Sequence, residues 1–226
     1  MDDTLKQRLL KLTEPLLAAH DWPSLENLWR PYVDQGDLDA QALLAYMCLW
    51  CFDEAEERDE EMRGLLRAAA AAGHADAMYW MTCMSMADED DALSKKAAEL
   101  GSRGAQRDLG AVYATGDWAA GLKDSTIAVY WYRLAAERGH PDAQYNLGFM
   151  HILGEGVPPG VAEGLLWLHR SADRGNTSAM RLLADLYRNG YYGVTLDADK
   201  ADHWDKQFAV AEPLSHVYLH DTEGSL

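Results

Sequence analysis

Cysteines, histidines and carboxylates are the residues of this chain whose spacing could do chemistry. Cys48-Leu-Trp-Cys51 is a C-x-x-C pair. Redox work by such a pair needs it to open a helix after a strand, where the helix N-terminus stabilises a thiolate. Here it falls late in an apolar run, Ala42 to Phe52, that reads as a helix, and no second pair completes a zinc site. Both cysteines are expected to be small core residues. His216 and His220 stand at i, i+4 near Asp221 and Glu223, a spacing that lets two imidazoles share a metal. The general-base Glu of a zinc protease does not lie between them, and no metal is expected. His74 and His140 each follow a glycine at the same point of a repeat, which makes them turn residues. Gly154-Glu-Gly-Val157 has the glycines of a phosphate loop without the preceding strand or the following Lys and Ser/Thr. No catalytic, cofactor-binding or metal-ligating residue emerges, and the expected class is non-enzymatic.

The carboxylates carry a different message. Of 226 residues, 37 are acidic and 20 basic, a formal net charge of −17. That sign repels a phosphate backbone and an anionic membrane surface, so no nucleic-acid partner is expected. It favours a partner with a basic surface, or solubility alone. Asp53, Glu54, Glu56, Glu57, Asp59, Glu60 and Glu61 form one acidic run, and Asp88, Glu89, Asp90 and Asp91 a second. If their loops stack, they make an acidic edge of about −10. The longest apolar run has eleven residues, too short to span a bilayer, so no membrane insertion is expected. Three cysteines point to a reducing compartment, and Met-Asp-Asp-Thr lacks the apolar stretch of a secretory leader. A cytoplasmic location is expected; the periplasm remains open if a leader has been removed.

The elements that would position these groups repeat. Ala40, Ala77, Ala105, Ala143 and Ala179, each followed by Gln or Met, recur at spacings of 37, 28, 38 and 36 residues. One residue earlier stand Asp39, Asp76, Gly104, Asp142 and Ser178, helix N-cap types. Five residues later stands a mostly small residue: Ala45, Thr82, Gly110, Gly148 or Ala184. A second helix follows in each unit, and in the first four it ends at Gly73, Gly101, Gly139 and Gly175. The spacing predicts five helix pairs, residues 37–73, 74–101, 102–139, 140–175 and 176–211. Before them residues 1–36 read as a divergent helical pair. Leu5, Leu9, Leu12 and Leu16 share a face there, Pro15 interrupts the first helix, and Ser24 caps the second. Residues 212–226 form a tail or cap. The fold class is all-α, in about twelve short helices.

Ala143-Gln-Tyr-Asn-Leu147-Gly148, with Gly154-Glu-Gly156-Val157 and Trp167, resembles the Sel-like repeat; so does Ala128-Val-Tyr-Trp131-Tyr-Arg-Leu-Ala135-Ala136-Glu-Arg-Gly139. This family is a relative of the tetratricopeptide repeat, and the resemblance covers residues 37–211, weakly in the first two units. It implies a right-handed α-solenoid of stacked helix pairs and protein–protein recognition without catalysis. Three roles are compatible with it: an adaptor or scaffold, a bacterial immunity or antitoxin protein masking a basic secreted toxin, and an envelope or secretion regulator.

A groove follows from the register. Counting from each anchor Ala, positions 0, +4, +5 and +8 form the packing stripe, and +2, +6 and +9 centre about 140° away. Those slots hold Tyr46, Tyr79, Arg107, Tyr145, Phe149, Arg181 and Arg188, aromatics and arginines of the kind enriched at binding hot spots. They are expected to line a concave partner-binding face.

Overall fold

A computed structural model describes residues 3–51, 59–84, 91–116 and 123–211, and its regular structure there is twelve α-helices and one 3₁₀ turn, Tyr191–Gly193, with no strand. In chain order they are α1 (Asp3–Ala18), α2 (Trp22–Asp34), α3 (Leu38–Cys51), α4 (Asp59–Ala71), α5 (Ala75–Met84) and α6 (Asp91–Glu99). Then come α7 (Arg103–Thr115), α8 (Ser125–Glu137), α9 (Pro141–Leu153), α10 (Val161–Asp173), α11 (Thr177–Asn189) and α12 (Ala198–Ala211). The fold is the expected all-α solenoid type. It divides into two compact units, up to residue 105 and from residue 106.

One turn recurs wherever a pair ends and the next begins. Gly36, Gly73, Gly101, Gly139 and Gly175 all have φ between +79° and +102°. Only glycine takes that conformation without strain. At Gly73 the amide donates to the Ala70 carbonyl, and the next amide, His74, donates to Ala69, both at 3.0 Å. The same two bonds recur at the other four glycines. They satisfy carbonyls that a helix end leaves open. The residue after each glycine is already the N-cap of the following helix. Asp37 Oδ1, His74 Nδ1 and Asn176 Oδ1 accept the Ala40, Ala77 and Ala179 amides at 3.0, 3.1 and 2.8 Å. Ser102 Oγ and His140 Nδ1 face Ala105 and Ala143 at a longer 3.5 Å.

The caps therefore stand three residues before each anchor Ala, and the expectation of Asp39, Asp76, Gly104, Asp142 and Ser178 is corrected. An N-cap side chain reaches the amide of the third helical residue, which is the anchor Ala. Asp39, Asp76 and Asp142 occupy the second helical position, where a carboxylate favours the positive helix end. Two of them also tie repeats together. Because His74 Nδ1 accepts an amide, the ring proton lies on Nε2, which donates to Asp39 Oδ1 at 3.0 Å. Asn176 Nδ2 donates to Asp142 Oδ1 at 2.7 Å. Lys6, buried on α1, reaches the same Asp39 oxygen at 3.3 Å. The His74 hydrogen bond, aided by Lys6 against the cost of burial, holds Asp39 at about 2.

Small residues at the +5 slot set how closely helices approach. A Cβ on Gly148 would lie 2.8 Å from the Gly164 carbonyl oxygen, and one on Gly164 would lie 2.7 Å from that of Gly148. Helices α9 and α10 thus touch backbone to backbone. Gly110 receives the Tyr132 ring, and Gly104 receives the Tyr79 ring.

The first pair departs from its expected detail. Helix α1 runs through Pro15 to Ala18, with one intrahelical amide missing. Its buried face is Lys6, Leu9, Thr13 and Leu17, while Leu12 is exposed. Thr13 Oγ1 accepts the indole N–H of fully buried Trp29 at 2.8 Å, which turns the helix away from the leucine face. Asp21, not Ser24, caps α2, accepting the Ser24 amide at 3.1 Å.

Two outcomes follow. Gly148→Ala and Gly164→Ala should each cost about 1–3 kcal/mol in urea unfolding, because the new methyl meets backbone that cannot swing aside. For Asp39 the folded carboxyl lies below its unfolded value of 3.8. Its contribution is complete above that value and drains as pH falls from about 4 towards about 2. The amount is of the order of 1–2 kcal/mol, allowing for solvent screening of a side chain that keeps 31% exposure. Asp39→Asn should flatten the loss of stability across that window, read by thermal unfolding as a function of pH.

Candidate functional site

The aromatic and arginine slots do not all reach solvent. Tyr46 and Tyr79 are 5% exposed each, and the expectation that they line a groove is corrected. Tyr46 lies against Trp80 of α5 with ring centroids 4.4 Å apart, and Tyr79 fills the space over Gly104. Helix α3 packs on its own partner α4 and also on α5, the first helix of the next repeat. In the first unit, the ring at +2 or +6 fills that second contact.

The second unit keeps more of the pattern. Tyr145 and Phe149, one turn apart on α9, are half-buried and stack in parallel, centroids 6.4 Å apart at 1°. Burial raises the Tyr145 phenol above its ordinary value, and it pushes the deeper Tyr132 up to about 12. Arg181 and Arg188 are exposed on α11 but turn towards α12. The Arg181 guanidinium lies 5.3 Å over the Phe208 ring, and Arg188 bonds Asp185 and Asp205. Arg107 pairs with Asp108 at 2.7 Å. The structure thus brings together Tyr145 and Phe149 and directs both α11 arginines to their own helix pair.

On the acidic edge, Asp53, Glu54, Glu56, Glu57, Asp88, Glu89 and Asp90 lie outside the described residues, as do His216 and His220. Asp59, Glu60 and Glu61 open α4 and pair with Arg63, Arg67 and Arg30 at 2.8, 2.9 and 2.6 Å. These pairs are well solvated, each worth about 0–1 kcal/mol, and they offset charge that a basic partner would meet. Asp91 is exposed at the start of α6. Cys48 is fully buried in α3, and Cys51 is the last residue of that helix. Among the described residues no group of three metal-ligating side chains occurs, and no helix is long and apolar enough to cross a membrane. Gly154 and Gly156 are a structural turn: both have φ of +72°, and a Cβ on Gly156 would meet the Ser125 carbonyl at 2.1 Å.

One feature escaped the sequence reading. An open pocket of about 570 Å³ is lined by Glu137, Gly139, Gln144, Trp167, Arg170, Asp173 and Arg174, with Ala136. Trp167 and Arg170 share one face of α10 and Arg174 is its C-cap, at i, i+3 and i+7, a spacing readable in the sequence. The Arg170 guanidinium lies 4.6 Å from the Trp167 ring centre.

The separation of core from surface aromatics is measurable. Tyr46→Ala should cost about 3–5 kcal/mol in urea unfolding, as for other buried rings. Phe149→Ala should cost less than about 2 kcal/mol, because its ring is only half-buried. Equal losses would place both rings in one environment.

Comparison with known proteins gives the pattern a family. The Sel1 repeat family model matches residues 104–140, 141–176 and 177–204. Chitin synthase regulatory factor 3 of Schizosaccharomyces pombe is 32% identical over 114 residues, half of this chain and 12% of that protein. The yeast chitin synthase regulator SKT5 of Saccharomyces cerevisiae is 35% identical over 85 residues, 34% of this chain and 12% of that protein. The chain thus spans about an eighth of the length of these curated relatives. A Sel1 repeat protein from Oxalobacter formigenes superposes with a TM-score of 0.69 at 27% identity, covering 84% of this chain and 80% of that one. An immunity protein of Pseudomonas aeruginosa has the same fold, with a TM-score of 0.65 at 17% identity over all of this chain and 85% of its own. Sel1 repeat proteins act as protein-interaction scaffolds. With its glycine turns, paired helices and three matched stretches, the chain carries three Sel1 repeats over residues 104–204 and fits that repeat family.

Proposed function

We propose that this protein is a non-enzymatic adaptor that holds a partner protein through its second unit. The observation that carries the reading is the stacked, half-buried Tyr145–Phe149 pair on a repeat type that binds proteins. Two rings held parallel by their helix lose little freedom on binding and offer apolar area beside it. The net charge of −17 supports a partner with a basic or neutral surface and argues against a nucleic acid.

A second reading is immunity, with the acidic surface masking a basic toxin. It is favoured by the charge, and the fold is shared with an immunity protein. An envelope or secretion regulator is a third; two curated relatives are described as chitin synthase regulators, though each match covers an eighth of their length.

Affinity capture from the source cell, quantified by mass spectrometry, separates these. A partner retained by the wild type should fall at least tenfold with Tyr145→Ala plus Phe149→Ala, matching the roughly 2 kcal/mol that a buried aromatic anchor costs on truncation. Retention unchanged by the double variant, but lost above about 0.5 M salt, would instead favour charge masking.

A further inference from the structure

We propose that the Trp167 pocket is a second, polar subsite that takes an internal peptide segment carrying a carboxylate two residues from a basic side chain. The proposal rests on the protein-binding reading above. Its first support is an unmet acceptor. Gln144 is 3% exposed, and its Nε2 donates to the Ala136 carbonyl at 2.9 Å. Its Oε1 is buried with no hydrogen-bond partner. A buried polar atom left unsatisfied costs about 1–3 kcal/mol, and a ligand N–H at this position removes the cost.

Its second support is the pair of arginines. Among the described residues the side chain of neither Arg170 nor Arg174 makes an ion pair or a hydrogen bond. Arg170 rests on Trp167, and the Arg174 guanidinium lies over Gly139, where a Cβ would stand 3.0 Å from its central carbon. Both guanidinium groups are thereby placed by contacts that leave their N–H forks open. A guanidinium fork matches a carboxylate with two parallel hydrogen bonds.

Its third support is the rim. Glu137 and Asp173 line the same pocket. They disfavour a polyacidic ligand and favour one that presents a cation next to its carboxylate. Residues two apart in an extended segment face the same side, so a basic and an acidic side chain at i, i+2 meet this mixed lining together. The pocket is open to solvent, so it admits a segment without requiring a chain end.

Its fourth support is that the full set occurs in this repeat alone, although the preceding repeat keeps Gln106, Glu137 and Arg138 at the slots of Gln144, Asp173 and Arg174. In the following repeat the slots of Gln144, Arg170, Asp173 and Arg174 hold Met180, Gln207, Val210 and Ala211. The Trp at the shared slot, Trp204, remains. The Arg170 slot holds Leu134 in the preceding repeat and Gln207 in the following one, both beside a Trp at the shared slot, so packing on the ring does not require that arginine.

The test is a titration of the isotope-labelled full chain with the end-capped peptide acetyl-Gly-Ser-Lys-Gly-Glu-Gly-Ser-amide, followed by NMR. Shifts are expected at the Gln144 side-chain amide, the Trp167 indole N–H and the Arg170 and Arg174 Nε–H, with a Kd of about 1 mM, typical of so few contacts. Replacing the peptide Glu by Gln, or its Lys by Glu, should weaken binding at least about fivefold. Arg170→Gln and Arg174→Gln in the protein should each do the same. If Arg174→Gln lowers the melting temperature, Arg170→Gln and Arg174→Lys decide instead, the lysine variant keeping the charge and losing the fork. No shift at about 5 mM peptide, equal shifts with every peptide, or binding indifferent to Arg170 overturns the proposal. So does tighter binding of acetyl-Gly-Ser-Lys-Gly-Gly with a free carboxyl end, which would make the site a chain-end receptor. These peptides probe the pocket alone, so their failure leaves the Tyr145–Phe149 capture result standing.

Discussion

A single turn, glycine followed by a capping side chain, is the constraint on which the rest of this structure depends. The glycine closes one helix with two backbone hydrogen bonds, and the very next residue opens another. No residue is spare between them, so the direction of each new helix is set by the φ of one glycine. The cap then acts twice where it can. His74 and Asn176 hold their own helix starts and also bond the acidic second helical residue of the preceding repeat, Asp39 and Asp142. Helix start and repeat stacking are thereby fixed by the same side chain.

This economy leaves a first helix such as α3 with three packing duties: its own partner α4, the preceding α2 and α5 of the next repeat. Tyr46 and Tyr79 show the result, since rings on the nominally free face are drawn into contacts with Trp80 and Gly104. On the proposed reading, partner recognition falls to rings that sit at an edge of this packing, such as Tyr145 and Phe149, and to the ends of the second helices. Arg170 and Arg174 are at such an end, the last turn and C-cap of α10. The positive charge there also suits the negative end of the helix, so it is compatible with the fold.

Much of this was legible in the sequence because glycine and alanine carry backbone information. Gly73, Gly101, Gly139 and Gly175 mark left-handed positions, and the anchor alanines mark the third residue of each helix. The caps were misplaced by two residues because Asp is a common cap and His an uncommon one, and the dipole places Asp at the second helical position as well. The groove was misread because a helical wheel around one helix knows only one neighbour. Nothing in the +2 and +6 pattern separates Tyr46, whose ring meets Trp80, from Tyr145, which stays half-buried. The polar pocket draws on Gln144 of one helix and Arg170 and Arg174 of another, so only the α10 half of it had a readable spacing.

The cap side chain of His74 couples adjacent repeats as well as starting its helix. A double-mutant cycle on Asp39→Ala and His74→Ala, read by urea unfolding at neutral pH, isolates that coupling. The bond between them is part-buried and shared with Lys6, so a coupling of about 1 kcal/mol or more is predicted. Losses that simply add, with His74→Ala costing no more than a lost helix cap, would contradict it.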